Sequence, residues 1–580
     1  MSRALLSRAQ ALHQGGRLDE ARALYGQVLM ADPDNAEALH LQGYLWFQSG
    51  DAGRALQLIG RAIALKPSNA SYRYNRALIL QQTGALEAAA SDFQQVAALQ
   101  PADLGAWEGL GETLLNLGRA EEALTAWDHA LALRPGSAEL NSNRGVALRV
   151  IGRLDEALAA QERAVAANPR YPDGWSNRGN VLKDLGRLDE AVESFDRALA
   201  LNPQMVEAMV NRGNVLRELA RLPEALADYD RAIALSPNFP DAYHHRSVLM
   251  LDMQRPAQAV AGFDRATMLR QPFPEAEAAR AMALLYGGDF AQGLRLYEAR
   301  TLFAPEATKD RPRWLGGELP AGQTVLVWAE QGLGDTIQFC RYAPLLAAQG
   351  ARVVLQVQTP LAPLLRGMPG VEMVIGPNLT PPPFDQHIPL LSLPLAFATR
   401  LDSIPAPTAY LQPDPDRVKV WSERLGPATR KRIGLVWSGA AGHRNDRHRS
   451  MTLTRLLAAL PEGFEYVGLQ QELRDHDQAT LEAHPQVRSF TRDLNDFTDT
   501  AALISLMDAV VSVDTSIAHL AGALGKDVRV LLARIGQDWR WMAQGDETPW
   551  YPSMRLYRQG EDNDWAGPLA TVGADLAALG

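Results

Sequence analysis

The segment GRLDEAVESFDRALALNP, residues 186–203, decides the reading of the first half of the chain. Between its opening glycine and closing proline, apolar residues return every three or four positions, one face of an amphipathic helix. The glycine ends the preceding helix in a left-handed turn. Alanine lets two helices approach closely, and proline follows the second helix where it cannot continue.

The same grammar recurs on both sides. Pro33, Pro67, Pro101, Pro135, Pro169, Pro203 and Pro237 stand 34 residues apart, as do Gly16, Gly50, Gly84, Gly118, Gly152 and Gly186. Ala21, Ala55, Ala89, Ala123, Ala157, Ala191, Ala225 and Ala259 keep that spacing too. This is the tetratricopeptide period, one helix–turn–helix per repeat. Beyond Pro237 the pattern frays: Gln254 replaces the glycine, proline slips to Pro272, and FAQGLRLYEARTLF (290–303) keeps a last degenerate hairpin. The expectation is an all-α superhelix over 1–303, with about seven regular and two degenerate repeats and the first helices lining a concave groove.

Asn75, Asn143, Asn177 and Asn211 occupy one position of the first helix in different repeats, interrupted by Gly109 and His245. An asparagine amide both donates and accepts, so a ladder of them suits the backbone of an extended peptide. The competing expectation is that they bond only to neighbouring helices or water. The four are carried forward as candidate acceptor-binding residues.

A net charge of −10 disfavours nucleic acid or an anionic membrane as a general partner. A single cysteine, Cys340, excludes a disulfide framework and a cysteine-rich zinc site. Neither a secretory signal nor a membrane span is legible, so a cytoplasmic location is expected.

From about residue 320 short apolar strands alternate with helices. TVLVWAEQGLGDTIQFCRYAPLLAAQG (324–350) reads strand, glycine loop, helix; ARVVLQV, VEMVIG and HIPLLSL follow. After a Pro/Asp-rich stretch at 402–417 come KRIGLVW, FEYVGLQ, DAVVSVD and VRVLL. Two doubly wound, Rossmann-type halves are expected, at 304–405 and 406–580. The final helix, roughly 566–578, is a candidate to cross back to the first sheet.

Three loops carry candidate chemistry. GLGD (332–335) includes Gly334, which permits close backbone approach, and Asp335, which opens a helix and is equally suited to capping it. WSGAAGHRNDRHRS (437–450) contributes Ser438, Gly439, His443, Arg444, Asn445, Arg447 and Arg449, a cationic loop suited to phosphate oxygens. VVSVDTSIAHLAGALGKDV (510–528) ends a strand at Asp514, and Thr515 or Ser516 caps the next helix, whose free N–H groups form an anion site. His519 lies one turn further on. No metal is expected. Trp539, Trp541, Trp550 and Tyr551 read as a loop pinned by aromatic burial more than as a base-stacking platform. Asp562-Asn563-Asp564 fits D-x-D outside its strand context.

GLGDTIQF and SVDTSIAHLAGALG resemble motifs of heptosyltransferase-like glycosyltransferases. The whole arrangement, with HRNDRHRS and DWRWM…PWYPSMRLYRQ, resembles bacterial tetratricopeptide-fused glycosyltransferases, including FlmG-like enzymes that modify flagellin with a nonulosonic, pseudaminic-type sugar. The asparagine ladder is similar to that of O-linked N-acetylglucosamine transferase. The resemblance implies a GT-B architecture, Asp335 as general base, and donor-phosphate binding at Asp514, Thr515, Ser516 and His519. Arginines and His443 stand where heptosyltransferases place a lysine, so ADP-heptose is not inherited.

The expected function is metal-independent transfer of a sugar from a nucleotide donor to Ser/Thr hydroxyls of a protein held by the repeats. The donor is a CMP-linked nonulosonic acid or a UDP- or ADP-linked sugar, flagellin is the suspected acceptor, and no cofactor is implied. The alternative is a protein-binding scaffold with a degenerate, non-catalytic transferase domain.

Overall fold

A computed structural model describes residues 2–300, 304–442 and 445–579. The chain divides into two compact units, 1–219 and 220–580.

Helical hairpins run from Ser2 to Tyr297. Local sequence explains their boundaries. The side chains of Asn35, Asn69, Asp103 and Ser137, again 34 residues apart, accept the backbone N–H three residues on and cap the first helix of their repeats. From Tyr171 onward that position has no side-chain cap, and proline instead opens the helices at Pro172, Pro240 and Pro274. The turn after each first helix is left-handed throughout, with φ of 74–87° at the six periodic glycines. The conformation persists where the glycine does not: Ala220 has φ 62° and Gln254 φ 58°.

A second periodic feature was not read from the sequence. Arg144, Arg178, Arg212, Arg246 and Arg280 each pair with an acid sixteen residues earlier, namely Asp128, Glu162, Asp196, Asp230 and Asp264. Each rung joins the second helix of one repeat to the first helix of the next.

The second unit holds two wholly parallel sheets. The first contains β1 (Thr324–Trp328), β2 (Arg352–Gln356), β3 (Val371–Ile375) and β4 (Gln386–Pro389), in the order β3-β2-β1-β4. The second contains β5 (Arg432–Val436), β6 (Glu465–Gly468), β7 (Val487–Ser489), β8 (Ala509–Val513), β9 (Asp527–Leu532) and β10 (Met554–Arg558). Its order, β10-β9-β8-β5-β6-β7, is a doubly wound arrangement. β1, β5 and β8 are buried along their whole length, which is why they read as unbroken apolar runs. The edge strands β7 and β10 escaped the sequence reading because one has three residues and the other interleaves arginine with apolar positions.

Two expectations need revision. The final helix, Ala566–Ala577, does not cross back. Leu569, Val572 and Leu576 pack with Ile433, Leu435 and Leu531 of the second sheet, and Tyr557 hydrogen-bonds Asp575. The helical hairpins also do not end as a separate body at 303. Leu285, Tyr286, Phe290 and Leu294 of the ninth hairpin (Pro274–Tyr286 and Phe290–Tyr297) share one core with Val325, Ile337, Trp539 and Trp550. Compactness therefore divides the chain at 219/220, inside the seventh repeat.

Candidate functional site

The second sheet reverses its strand order between β8 and β5. Ligands of such sheets bind outside the carboxyl ends of the strands at that crevice. The loops after these two strands are the cationic loop and the DTS segment.

Just after β5, the N–H groups of Trp437 and Ser438 donate to Gln470 Oε1, whose own amide returns a bond to Ser438 O at 2.8 Å. Ser438 Oγ is buried with no hydrogen-bond partner among the described residues. Gly439 lets Arg449 lie close: the guanidinium occupies the place where a β-carbon would stand. Arg449 Nη1 donates to Asp514 O at 2.9 Å and so ties the two loops together. Ser450 accepts from Gly439 N and donates to Asp446, which pairs with Arg474. Asn445 Nδ2 donates to Ile535 O and Gly536 O, anchoring the loop to the segment after β9. Arg447 points elsewhere: with His448, Arg455, Gln559 and Trp565 it lines a cavity of about 430 Å³. Arg447 and Arg449 thus do not converge. His443 and Arg444 lie outside the described residues.

Thr515 is the N-cap residue of the Ser516–Ala523 helix, but its hydroxyl faces Ser512 Oγ at 3.2 Å and makes no cap bond. The expected side-chain cap is absent because the local hydroxyl pair competes for it.

The first sheet supplies the opposite wall. Gly334 sits on His519, where an added β-carbon would meet the imidazole at 2.8 Å, so the GLGD and DTS segments touch. His519 shares a hydrogen bond with Tyr551 OH at 3.0 Å and stacks on Trp541. Burial, reinforced by the Arg540 charge, lowers its pKa to about 3, so the imidazole is neutral.

Asp335 is engaged twice. Oδ2 accepts the Gly332 N–H at 2.8 Å, the capping contact, and Oδ1 pairs with Arg540 at 2.5 Å. Arg540 also binds Asp538 through Nη1, at 2.6 and 2.8 Å, and is 3% exposed. Burial opposes its charge, and the two carboxylates overcome that opposition. Burial likewise raises the Asp335 pKa, with Arg540 pulling the other way. Desolvation at the strand end, helped by Asp538, pushes Asp514 up to about 6. Asp335 and Asp538 therefore flank one buried guanidinium, and Asp514 lies within reach of its charge.

Sequence reading missed Arg540 and Asp538. They lie in the aromatic-rich segment, where Trp539, Trp541, Trp550 and Tyr551 are at most 2% exposed, and a packing signal masked the charge. Two other acids of the first sheet are engaged away from this cluster: Asp385 accepts the N–H of Thr324 at the start of β1, and Glu330 is paired with Arg300 at 2.6 Å. The D-x-D segment is a turn, with Asp564 bound to Arg455 and Asn563 donating to Ala220 O. Among the described residues no group of three His, Cys, Asp or Glu is placed to hold a metal.

In the repeats, Asn75 hydrogen-bonds His40 at 2.8 Å and Asn177 donates to Ser142 Oγ at 3.0 Å, each across to the preceding repeat. Asn143 is exposed and Asn211 partly buried.

Comparison with known proteins bears on the helical part. Tetratricopeptide repeat models match residues 6–70, 108–172 and 177–240, and a second such model matches 42–108. Protein FlbA of Caulobacter vibrioides is 30% identical over 333 residues, 51% of this chain and 54% of FlbA, so the chain spans about half the length of that relative. Among solved structures, a tetratricopeptide repeat protein from Parabacteroides merdae is 17% identical with a TM-score of 0.39, over 43% of this chain and 98% of that one. YrrB, described as a TPR protein with an unusual peptide-binding site, is 25% identical with a TM-score of 0.27, over 32% of this chain and 96% of that one. The first part of the chain is a tetratricopeptide array. No helix among the described residues is long and apolar enough to cross a membrane.

Proposed function

We propose that this chain is a protein glycosyltransferase whose tetratricopeptide repeats bind the acceptor and whose paired sheets act as a GT-B catalytic unit. The observation that carries the reading is the place of the Arg449 and Thr515–Ser516 loops. They flank the β5/β8 reversal, and the GLGD segment of the other sheet packs directly against them.

In the proposed reaction an acceptor hydroxyl oxygen attacks the anomeric carbon of a nucleotide-linked sugar. The bond from that carbon to the phosphate oxygen breaks, and the nucleotide leaves with the electron pair. Arg449 and the N–H groups opening the Ser516–Ala523 helix stabilise the leaving phosphate. The hydroxyl proton passes to Asp335. Asp335 must first leave Arg540, and an incoming phosphate is the anion suited to take its place.

Calorimetry on the full chain with CMP, UDP, ADP and GDP tests the donor half, with one nucleotide expected to bind. Intact-mass analysis of flagellin made with and without this protein tests the acceptor half. A folded protein that binds none of the four points instead to a protein-binding scaffold with a degenerate, non-catalytic transferase unit.

A further inference from the structure

The ninth hairpin contacts both walls of the site. Tyr286, at the end of its first helix, donates its hydroxyl to Gln537 Oε1 at 2.6 Å, and its carbonyl accepts from Ala543 N at 3.2 Å. Those two residues bracket the segment that carries Asp538 and Arg540. Tyr297, at the end of the second helix, accepts from Gln331 Nε2 at 2.9 Å. Arg300, just beyond, pairs with Glu330 and bonds Ser392. Glu330 and Gln331 lead into Gly332, whose N–H holds Asp335. Between the two tyrosines, Phe290 packs on Trp539 and Trp550, with ring centroids 5.8 and 6.1 Å away.

The loop bearing Asp335 and the loop bearing Arg540 come from different sheets, yet both hang from this one hairpin. We infer that the ninth hairpin is a positioning element of the site: Tyr286 and Tyr297 fix the two loops whose meeting sets the Asp335–Arg540 contact. A hairpin that reads as a worn-out repeat is thereby kept for its hydroxyls. The consequence for turnover rests on the glycosyltransferase reading, while the positioning itself does not.

The test uses the full chain with Tyr297→Phe and Tyr286→Phe, each of which removes one hydroxyl and keeps the ring that packs. Hydrogen exchange followed by mass spectrometry reads the loops separately. Tyr297→Phe should speed exchange across 329–336 by roughly two- to tenfold, the loss of one net hydrogen bond, with 533–543 unchanged. Tyr286→Phe should give the opposite pattern. Unchanged exchange in the matching loop, or a uniform rise across both sheets, overturns positioning. If nucleotide binding by the wild type is absent, the transferase reading falls and the exchange result still decides this one. Where a nucleotide does bind, both variants should lower turnover several-fold more than they weaken its affinity, because the loops orient Asp335.

Discussion

The array before residue 219 and the unit after it use the same charges to different ends. In the array Arg144 meets Asp128 and Arg212 meets Asp196 at the surface, with acid side chains about half exposed. In the second unit Arg540 meets Asp335 and Asp538 with its own side chain 4% exposed. The first arrangement repeats, and each rung is dispensable. The second is assembled once, from segments about two hundred residues apart, around a buried guanidinium. Periodic stability comes from many weak contacts, and a site comes from a few that cannot be spared.

The sharpest way to break this comparison is to truncate both arginines. Arg540→Ala leaves the Asp335 and Asp538 carboxylates, 20% and 36% exposed, without their shared cation. Breaking a fully buried pair costs about 3–5 kcal/mol, and water reaching these carboxylates lowers that to about 2–4 kcal/mol. Arg144→Ala should cost only about 0.2–1 kcal/mol, the range of exposed ion pairs. Denaturant titration of both variants measures the gap. Equal losses would mean that the Arg540 cluster is as solvated as the ladder.

The site also differs from the array in its answer to pH. Asp514 has its pKa raised to about 6. Between the ordinary carboxylate range and that value the folded state holds the proton more tightly than the unfolded chain. Asp514 therefore subtracts stability as pH rises through that window. Protonation also removes a negative charge from the anion side of the cleft, while His519 stays neutral. Affinity for a nucleotide-sugar, whose phosphates remain ionised, should rise roughly tenfold from pH 7.5 to 5.5, one pKa unit of interaction. Asp514→Asn should flatten the profile; calorimetry across pH that finds the same slope in both proteins assigns it elsewhere.

How much of this was legible follows from the range of each interaction. The glycine turns, the proline stops and the strands on either side of GLGD are set by neighbours within a few residues, so sequence spacing reveals them. The proximity of Gly334 and His519 was accessible only through motif resemblance. Arg540 was hidden because an arginine among tryptophans reads as packing, and its partner Asp335 lies in another sheet. Tyr286 and Tyr297 were hidden for the same reason: a degenerate repeat looks like decay until its long-range bonds are seen. Even the asparagine series was legible only by position, since the bonds of Asn75 and Asn177 to the preceding repeat depend on what lies opposite them.

Those bonds change how the ladder should be tested. Asn177→Ala would also break the Ser142 contact, so its effect mixes packing with recognition. Asn143 is exposed, and Asn143→Ala places a better helix former there. Its thermal midpoint should hold or rise slightly, while affinity for a protein acceptor falls about two- to tenfold, one hydrogen bond. An unchanged affinity in a pull-down titration would move the recognition surface off the asparagine face.

The finest comparison comes from the turns, where the two regions differ at one equivalent position. Residues 186, 220 and 254 all hold positive φ, yet the first is glycine and the others are alanine and glutamine. Nothing lies within 4 Å of a β-carbon built on Gly186, so Gly186→Ala meets no clash: its backbone conformation costs about 1–2 kcal/mol and the stiffer unfolded chain returns about 0.4–1 kcal/mol. Ala220→Gly removes that strain but also frees the unfolded chain, which costs about 0.4–1 kcal/mol in the other direction. The two terms partly cancel, and on these alone a net gain of about 0–1.6 kcal/mol mirrors a net loss of the same size at Gly186. A smaller gain at Ala220 measures what the surrounding core contributes. The Asn563 bond to the carbonyl of residue 220 is made to backbone and survives the change. The second unit can hold a strained residue because a larger core fixes its hairpins, whereas each array turn relies on its own glycine. Denaturation midpoints of the two variants that shift by equal and opposite amounts would show that the turns are energetically alike, and that the missing glycines owe nothing to the core around them.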